Sequence, residues 1–244
     1  MSFSITQIKH NTNTIYFQLL VKGRFASAIY NSFIHLLPTA LYNKDKTGVI
    51  FTASSVSTLE EHLSLYENNC LLLNNWCQML DTISRQMSFL KNNDFHKKLS
   101  QAYGFFGVNL NDIVVINESI FVICSSSKLL SIQEDIGRKT DNTVEKNMLY
   151  LFVDTPIQKP YFSSPEVHNI QVLPSFLPYN SFYYALGTLM YFCLCREYLI
   201  VGNDFKTTEE MREEILCPIL GTKLSAFFER CFENNAENRG LMFI

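Results

Sequence analysis

The stretch SFYYALGTLMYFCLCREYL, residues 181–199, is the most apolar part of this chain, and we expect the fold to be organised around it. From Phe182 to Cys195 it contains no charged residue. A helix of these residues would be about 21 Å long, whereas spanning a bilayer requires roughly 20 apolar residues. A helix that is apolar on every side is typically buried in a sizeable domain. We therefore predict a buried central helix rather than a transmembrane one.

The composition of the 244 residues supports a large core and excludes several classes of protein. Hydrophobic residues make up 47% of the chain and aromatic residues 14%, which is enough for a substantial core. The net charge of −3 and the lack of clustered Lys and Arg give no argument for binding nucleic acid. No signal peptide is recognisable at the N-terminus. We expect a cytoplasmic protein with neither nucleic acid nor membrane as a partner.

The seven cysteines and five histidines show no disulfide or metal pattern. The cysteine number is odd and no C-x-x-C occurs. Cys193 and Cys195 fall on the predicted central helix, so both are expected to be buried, reduced thiols. A zinc site is a weak alternative, because no histidine has ligand spacing with a cysteine. We predict no metal and no cofactor.

Residues 1–54 predict a small antiparallel sheet that carries one helix. Two strand-like segments, FSITQI and IYFQLLV, flank a polar turn. Apolar residues then recur at helical spacing over residues 25–37, and Pro38 ends that helix. Residues 39–53 have the form of a hairpin.

Residues 55–244 predict a mainly helical part. Ser57, with Glu60 three residues later, is a candidate N-cap. A long amphipathic helix follows at residues 72–92, and residues 113–124 predict a strand hairpin. The other predictions are an exposed polar stretch at 125–147, a strand or short helix at 148–153, little regular structure in the proline-containing residues 154–180, and helices at 207–216 and 223–235.

Three short motifs, in this order along the chain, resemble the protein kinase family. YFSSPE, residues 161–166, resembles the Ala-Pro-Glu end of the activation segment. YALGTL, residues 184–189, resembles the start of the central kinase helix, and ERCFENNAENR, residues 229–239, resembles the closing motif that ends in arginine. The resemblance implies a kinase-like α+β fold, with an abbreviated β-rich N-terminal lobe (residues 1–54) and a mainly helical C-terminal lobe (residues 55–244).

The resemblance also implies a set of structural residues. Glu166 corresponds to the glutamate of Ala-Pro-Glu, and Arg239 to the arginine with which it forms a buried ion pair in that family. A bidentate pair of this kind can fix an irregular loop to a helical core. Pro165 and Gly187 complete the motifs. The alternative is that Glu166 and Arg239 are ordinary surface residues.

The features that a kinase uses to hold ATP are absent from this sequence. Gly23 and Gly48 are the only glycines before Gly104, so no glycine-rich loop exists. Lys22 lies at the end of a predicted strand rather than within it, and residues 25–37 contain no acid to pair with it. We interpret Lys22 as a solvated lysine and do not expect nucleotide binding.

The catalytic positions implied by the resemblance are also degenerate. Gly107 stands where the family has its catalytic aspartate, and Asp112 where it has a metal-binding asparagine. Asp112 could bind a cation, although capping the turn before the strand is the preferred interpretation. Ser125 lies in CSSS, residues 124–127, which replaces the metal-binding Asp-Phe-Gly. Phe182 replaces the structural aspartate of the central helix, with Ser181 as a weak substitute.

The sequence therefore predicts a pseudokinase, a kinase-like protein that acts as a protein-interaction or scaffold module. One alternative is a divergent, active Ser/Thr kinase that uses ATP and Asp112. Another is a structural or assembly component of a virus particle. The run at residues 221–244 resembles kinase-like proteins of large DNA viruses of protists, which implies the host cytoplasm or the virion. The richness in Asn, Ile, Phe and Tyr fits an AT-rich genome. The partner protein is not indicated; residues 125–147 are either a contact region or a mobile surface loop.

Overall fold

The computed structural model describes residues 2–11, 14–92, 102–133, 148–150, 161–201, 204–205, 213 and 216–241. The helices are α1 (Ala26–Leu36), α2 (Leu59–Leu63), α3 (Leu73–Lys91), α4 (Pro165–His168), α5 (Ser181–Cys195) and α6 (Lys223–Cys231). The strands are β1 (Phe3–Asn11), β2 (Thr14–Val21), β3 (Leu41–Tyr42), β4 (Val49–Thr52), β5 (Val56–Thr58), β6 (Tyr103–Phe105), β7 (Gly107–Val108), β8 (Ile113–Ile116), β9 (Ile120–Ile123), β10 (Leu129–Gln133), β11 (Met148–Tyr150), β12 (Phe162–Ser163), β13 (Phe176–Pro178), β14 (Ile200–Val201) and β15 (Asp204–Phe205). Strands dominate the N-terminal part and helices follow, so the predicted α+β class is confirmed.

The chain forms two compact units. The first comprises Met1–Tyr103 and Asn109–Leu129, and the second comprises Gly104–Val108 and Leu130–Ile244. These units divide the chain at points other than the lobe boundary predicted after residue 54, which stays a prediction.

The first unit contains two antiparallel sheets, of strand order β1-β2-β4-β3 and β5-β8-β9. The long hairpin of β1 and β2 pairs Phe3 with Val21. Helix α1 covers the first sheet because its apolar residues share one face. Phe33 on α1 is fully buried, and its ring centroid lies 5.0 Å from that of Phe51 on β4.

Helix α3 packs against the edge strand β9 through polar as well as apolar side chains. Gln86 is fully buried; its Oε1 accepts the Ile123 backbone N–H at 2.9 Å, and its Nε2 donates to the Ile123 carbonyl at 2.9 Å. Its Nε2 also donates to Ser32 Oγ on α1 at 3.1 Å. One turn earlier, Thr82 Oγ1 accepts the Phe121 N–H at 3.2 Å. Thr82 and Gln86, four residues apart on one face of the helix, thus form the hydrogen bonds that the backbone of Phe121 and Ile123 would otherwise lack at the outer edge of the strand.

Helix α5 is the apolar core of the second unit. It begins at Ser181, as predicted, and ends at Cys195, because Arg196 adopts a left-handed conformation with φ of 62°. Its apolar residues are buried around most of its circumference. Gly187 allows α6 to approach closely: a Cβ at this position would lie 2.7 Å from Cys231 Cβ and 2.9 Å from the Phe232 ring.

Several predictions of local structure are wrong in detail. Thr58 rather than Ser57 caps α2, in a reciprocal capping box with Glu61. Cys193 is buried as predicted, but Cys195 is exposed because it faces outward in the last helical turn. Proline-containing residues between 161 and 180 form β12, α4 and β13 rather than purely irregular structure.

The stretch predicted to be polar and exposed at residues 125–147 begins in the core. Ser125, Ser126 and Lys128 are buried, and a strand, β10, follows them. Residues 134–147 lie outside the described residues, as do residues 151–153 and most of the helix predicted at 207–216. Within the described ranges, no helix is both long enough and apolar enough to cross a membrane.

Candidate functional site

The end of strand β2, directly before Lys22, is held to helix α1 by a tyrosine hydroxyl. Tyr30 Oη accepts the Val21 backbone N–H at 2.7 Å and lies 2.8 Å from the Thr47 carbonyl, to which it donates. Tyr30 is only 4% exposed, whereas Lys22 is exposed. A neutral hydroxyl thus fastens the end of β2 to α1. The sequence gives no sign of this hydrogen bonding.

The residues that follow β9 contact this same end of the first sheet. We call Ser2, Ser125, Ser126 and Ser127 the serine clasp. Ser125 Oγ lies 2.8 Å from Ser2 Oγ and 3.0 Å from Ser127 Oγ. The Ser126 hydroxyl donates to the Lys22 carbonyl. The clasp therefore joins β1, the end of β2 and the residues after β9 within the first unit.

Gly23 makes this contact possible. Its φ of 113° lies in the region that favours glycine, and a Cβ at this position would lie 2.8 Å from Ser126 Oγ. Ser125 is 1% exposed and Ser126 is 4% exposed. Neutral hydroxyls that are buried and hydrogen-bonded within the protein lack the charge that a magnesium ligand set requires.

Asp112 is used as a cap. Its Oδ2 accepts the Asn109 backbone N–H at 2.8 Å, and the Asn109 side chain accepts the Asp112 N–H in return. The Asp112 carbonyl also accepts the Cys124 N–H at 2.8 Å. This geometry is that of the capping interpretation made from the sequence. It shapes the entrance to β8.

In the second unit, Gly107 and Phe182 are both buried. Gly107 pairs with Ser163 in the two-stranded sheet of β7 and β12. Phe182 is fully buried, and its ring centroid lies 5.6 Å from that of Phe105. The Ser181 hydroxyl, the weak substitute acceptor, is buried and has no hydrogen-bond partner among the described residues. An aromatic contact thus holds the start of α5 against Phe105.

The structure brings Glu166 and Arg239 together, 73 residues apart in the chain. Arg239 Nη1 donates to Glu166 Oε2 at 2.8 Å, and Nη2 donates to Oε1 at 2.9 Å. Arg239 Nε also donates to the Glu233 carbonyl at 2.7 Å, and its guanidinium lies 5.1 Å from the Tyr184 ring centroid. Arg239 is 4% exposed. The bidentate geometry agrees with the pair implied by the kinase resemblance.

The environment of Glu166 favours its charged form. Burial raises the pKa of this carboxyl, but hydrogen bonds and the charge of Arg239, with the Ser164 hydroxyl, outweigh burial and hold the pKa below its usual value. Pro165 occupies the first turn of α4, and Ser164 Oγ accepts the Val167 N–H at its start. Proline suits that position because the first helical N–H groups have no intrahelical acceptor. The turn thereby presents Glu166 to Arg239.

The described residues contain no group of three or more His, Cys, Asp or Glu side chains that could hold a metal ion. Burial raises the pKa of the Cys124 thiol, and burial also raises that of Cys231 despite the opposing charge of Arg239. Both thiols are therefore protonated at neutral pH and poor nucleophiles. Both are core residues.

Comparison with known proteins finds a likeness only among solved structures. No protein-family model and no curated protein matches this sequence. Among the solved structures, 464 chains match. One is the autoinhibited serine kinase domain of the giant muscle protein titin, with 14% sequence identity and a TM-score of 0.49, covering 98% of this chain and 77% of that one.

Proposed function

We propose that this chain is a pseudokinase, a kinase-like protein that binds another protein and does not transfer phosphate. The observation that carries the proposal is the serine clasp. The residues that stand where a kinase holds magnesium are serines. Their hydroxyls form hydrogen bonds with the Ser2 hydroxyl and the Lys22 carbonyl. Phosphoryl transfer depends almost entirely on positioning and charge stabilisation, so loss of the metal-binding carboxylates removes its basis.

Nucleotide binding provides the test. We expect no change in melting temperature with millimolar MgATP and no labelling of the protein or of a generic substrate from γ-labelled ATP. An active kinase measured in parallel controls the assay. A clear thermal shift together with autophosphorylation would overturn the proposal.

The alternative of a divergent active kinase depends on Asp112, the acid nearest the predicted catalytic stretch. If phosphate transfer is observed, Asp112→Asn should abolish it while leaving the melting temperature similar, since an amide oxygen can still accept the Asn109 N–H. A signal that survives this substitution comes from a contaminating kinase. The capping contact of Asp112 supports the pseudokinase instead.

We also propose a viral origin, with a structural or assembly component of the virion as the alternative to an intracellular scaffold. The resemblance of residues 221–244 to kinase-like proteins of large DNA viruses of protists motivates this proposal, and the Asn, Ile, Phe and Tyr content fits an AT-rich genome. Mass spectrometry of purified particles and of infected cytoplasm would separate a packaged assembly component from an intracellular regulator.

A further inference from the structure

The connection between α2 and α3 exposes three leucines. Leu65 is 74% exposed, Leu72 63% and Leu73 62%. Leu65 follows α2 closely, while Leu72 and Leu73 begin α3. We call these three residues the leucine patch. Single exposed leucines are ordinary, but three on one short connection beside polar residues form a candidate interaction surface.

The two ends of the connection are held together by side-chain hydrogen bonds. Asn75 Nδ2 on α3 donates to Tyr66 Oη at 2.8 Å, and that hydroxyl lies 3.2 Å from His62 Nε2 on α2. Asn75 Nδ2 also lies 3.3 Å from the Glu118 carbonyl, in the turn between β8 and β9. The leucine patch therefore belongs to a fixed surface built from α2, α3 and this turn.

Leu72 occupies a helix position at which leucine is a poor choice. It is the N-cap of α3, with φ of −64° and ψ of 149°, and makes no side-chain capping bond. Serine, threonine, aspartate and asparagine are strongly preferred there, whereas leucine leaves helix N–H groups uncapped. Leu72 gains neither a capping hydrogen bond nor burial in this protein. Burial against a partner protein would explain why leucine occupies the position.

The stretch of chain that carries the leucine patch is acidic, and we call its carboxylates, together with that of Glu118, the acidic rim. Residues 47–84 contain no Lys or Arg, but they contain four carboxylates, of which Asp81 alone pairs with an arginine among the described residues. Glu60 and Glu61 on α2 accept neutral donors, the Asn111 amide and the Thr58 N–H. Glu67 within the connection and Glu118 in the neighbouring turn are exposed. This charge selects a partner that carries cations.

We infer that the leucine patch binds a basic amphipathic segment of a partner protein, with an aliphatic stripe flanked by Lys and Arg. The stripe covers Leu65, Leu72 and Leu73, and the cations meet the acidic rim. This inference names the partner chemistry for the protein-binding role proposed above and rests on that role. An apolar stripe gives affinity and the charges give selectivity and rate.

A designed peptide tests this directly. The probe is a fluorescein-labelled helical peptide of leucine, lysine and alanine, with leucines at positions i, i+4 and i+7; in the control peptide glutamate replaces lysine. Fluorescence anisotropy should show that the basic peptide binds and the acidic one does not, and that salt weakens binding. We expect Leu65→Ser/Leu72→Ser/Leu73→Ser to weaken binding at least about ten-fold, and Glu67→Lys to weaken it several-fold.

Matched variants keep the outcome interpretable. Leu41→Ser, which removes another leucine that is 68% exposed, should leave the affinity unchanged. Leu72→Ser alone should weaken binding while raising the melting temperature, so a folding defect cannot account for the loss.

Equal affinity of the triple variant, or equal binding of the acidic peptide, would overturn the inference. So would a dimer, detected by sedimentation, that the triple variant dissociates, since the patch would then serve a second copy. Phosphate transfer from MgATP would instead refute the pseudokinase proposal and leave the peptide result unaffected.

Discussion

All three guanidinium nitrogens of Arg239 donate hydrogen bonds, to the Glu166 carboxylate and to the carbonyls of Glu233 and Asn234. Arg239→Gln removes the bidentate partner of Glu166 and leaves a carboxylate that is partly buried without its cation. We expect the free energy of unfolding to fall by about 3–5 kcal/mol. Urea denaturation would measure it, with Arg230→Gln, on the exposed face of α6, as the control. Equal losses for the two variants would contradict a structural role for the ion pair.

His62 gives the first unit a dependence on pH. Burial lowers the pKa of this side chain, although the charge of Glu118 opposes the change. In the unfolded chain a histidine gains its proton below about pH 6.5, while folded His62 resists protonation until lower pH. The contribution of His62 is therefore complete above that pH and is lost as the pH falls from it towards the lowered folded value.

Two substitutions isolate this contribution. His62→Gln should flatten the fall in unfolding free energy between pH 7 and pH 5, whereas His35→Gln, at an exposed position on α1, should leave the slope intact. Chemical denaturation at a series of pH values provides the measurement. An unchanged slope in the His62 variant would assign the pH dependence to other groups.

Among the elements, the contact between α5 and α6 depends on the missing side chain of Gly187. A methyl group there would overlap Cys231 and Phe232, so Gly187→Ala must push the helices apart. We expect a loss of about 1–3 kcal/mol in unfolding free energy, despite the better helix propensity of alanine. Gly240→Ala is the control, because a Cβ there would meet nothing within 4 Å, and it should change little. A stabilised Gly187→Ala variant would show that the helices separate at no cost.

The start of α3 offers the opposite outcome. Leu72 has the extended backbone of an N-cap and supplies no acceptor. Leu72→Ser should stabilise the isolated protein by about 0.5–2 kcal/mol, because a hydroxyl would accept a helix N–H. Thermal and urea unfolding would measure the gain. Leu73→Ser, one residue inside the helix, serves as the control and should give no comparable gain.

Across the whole molecule, the sequence predicted what periodicity and order encode. The apolar run at Ser181, the helical spacing of α1 and α3, and the hairpin of β8 and β9 were each recognisable because burial imposes a period on the chain. Glu166 and Arg239 could be paired only through the order of family motifs. Periodicity says nothing of contacts between distant polar side chains.

The features missed were those that depend on such contacts. Ser125 and Ser126 were expected at the surface because serine is polar, but hydrogen bonds to Ser2 and Lys22 compensate for their burial. Tyr30 has an apolar body and looks like a core residue; only its position shows that its hydroxyl fastens β2. The N-cap of α2 is Thr58, one residue after the predicted Ser57, and local sequence patterns rarely locate a helix end to within one residue.

The hydrogen bonds from Thr82 and Gln86 to the edge of strand β9 affect the tendency of the protein to aggregate. An edge strand normally offers a row of open backbone groups to another chain, and β9 is apolar. Because helix side chains already occupy Phe121 N–H and both groups of Ile123, this edge cannot template intermolecular pairing. Deuterium uptake at those two amides should therefore be slow for an edge, and Gln86→Leu should both accelerate it and increase fibril formation on heating.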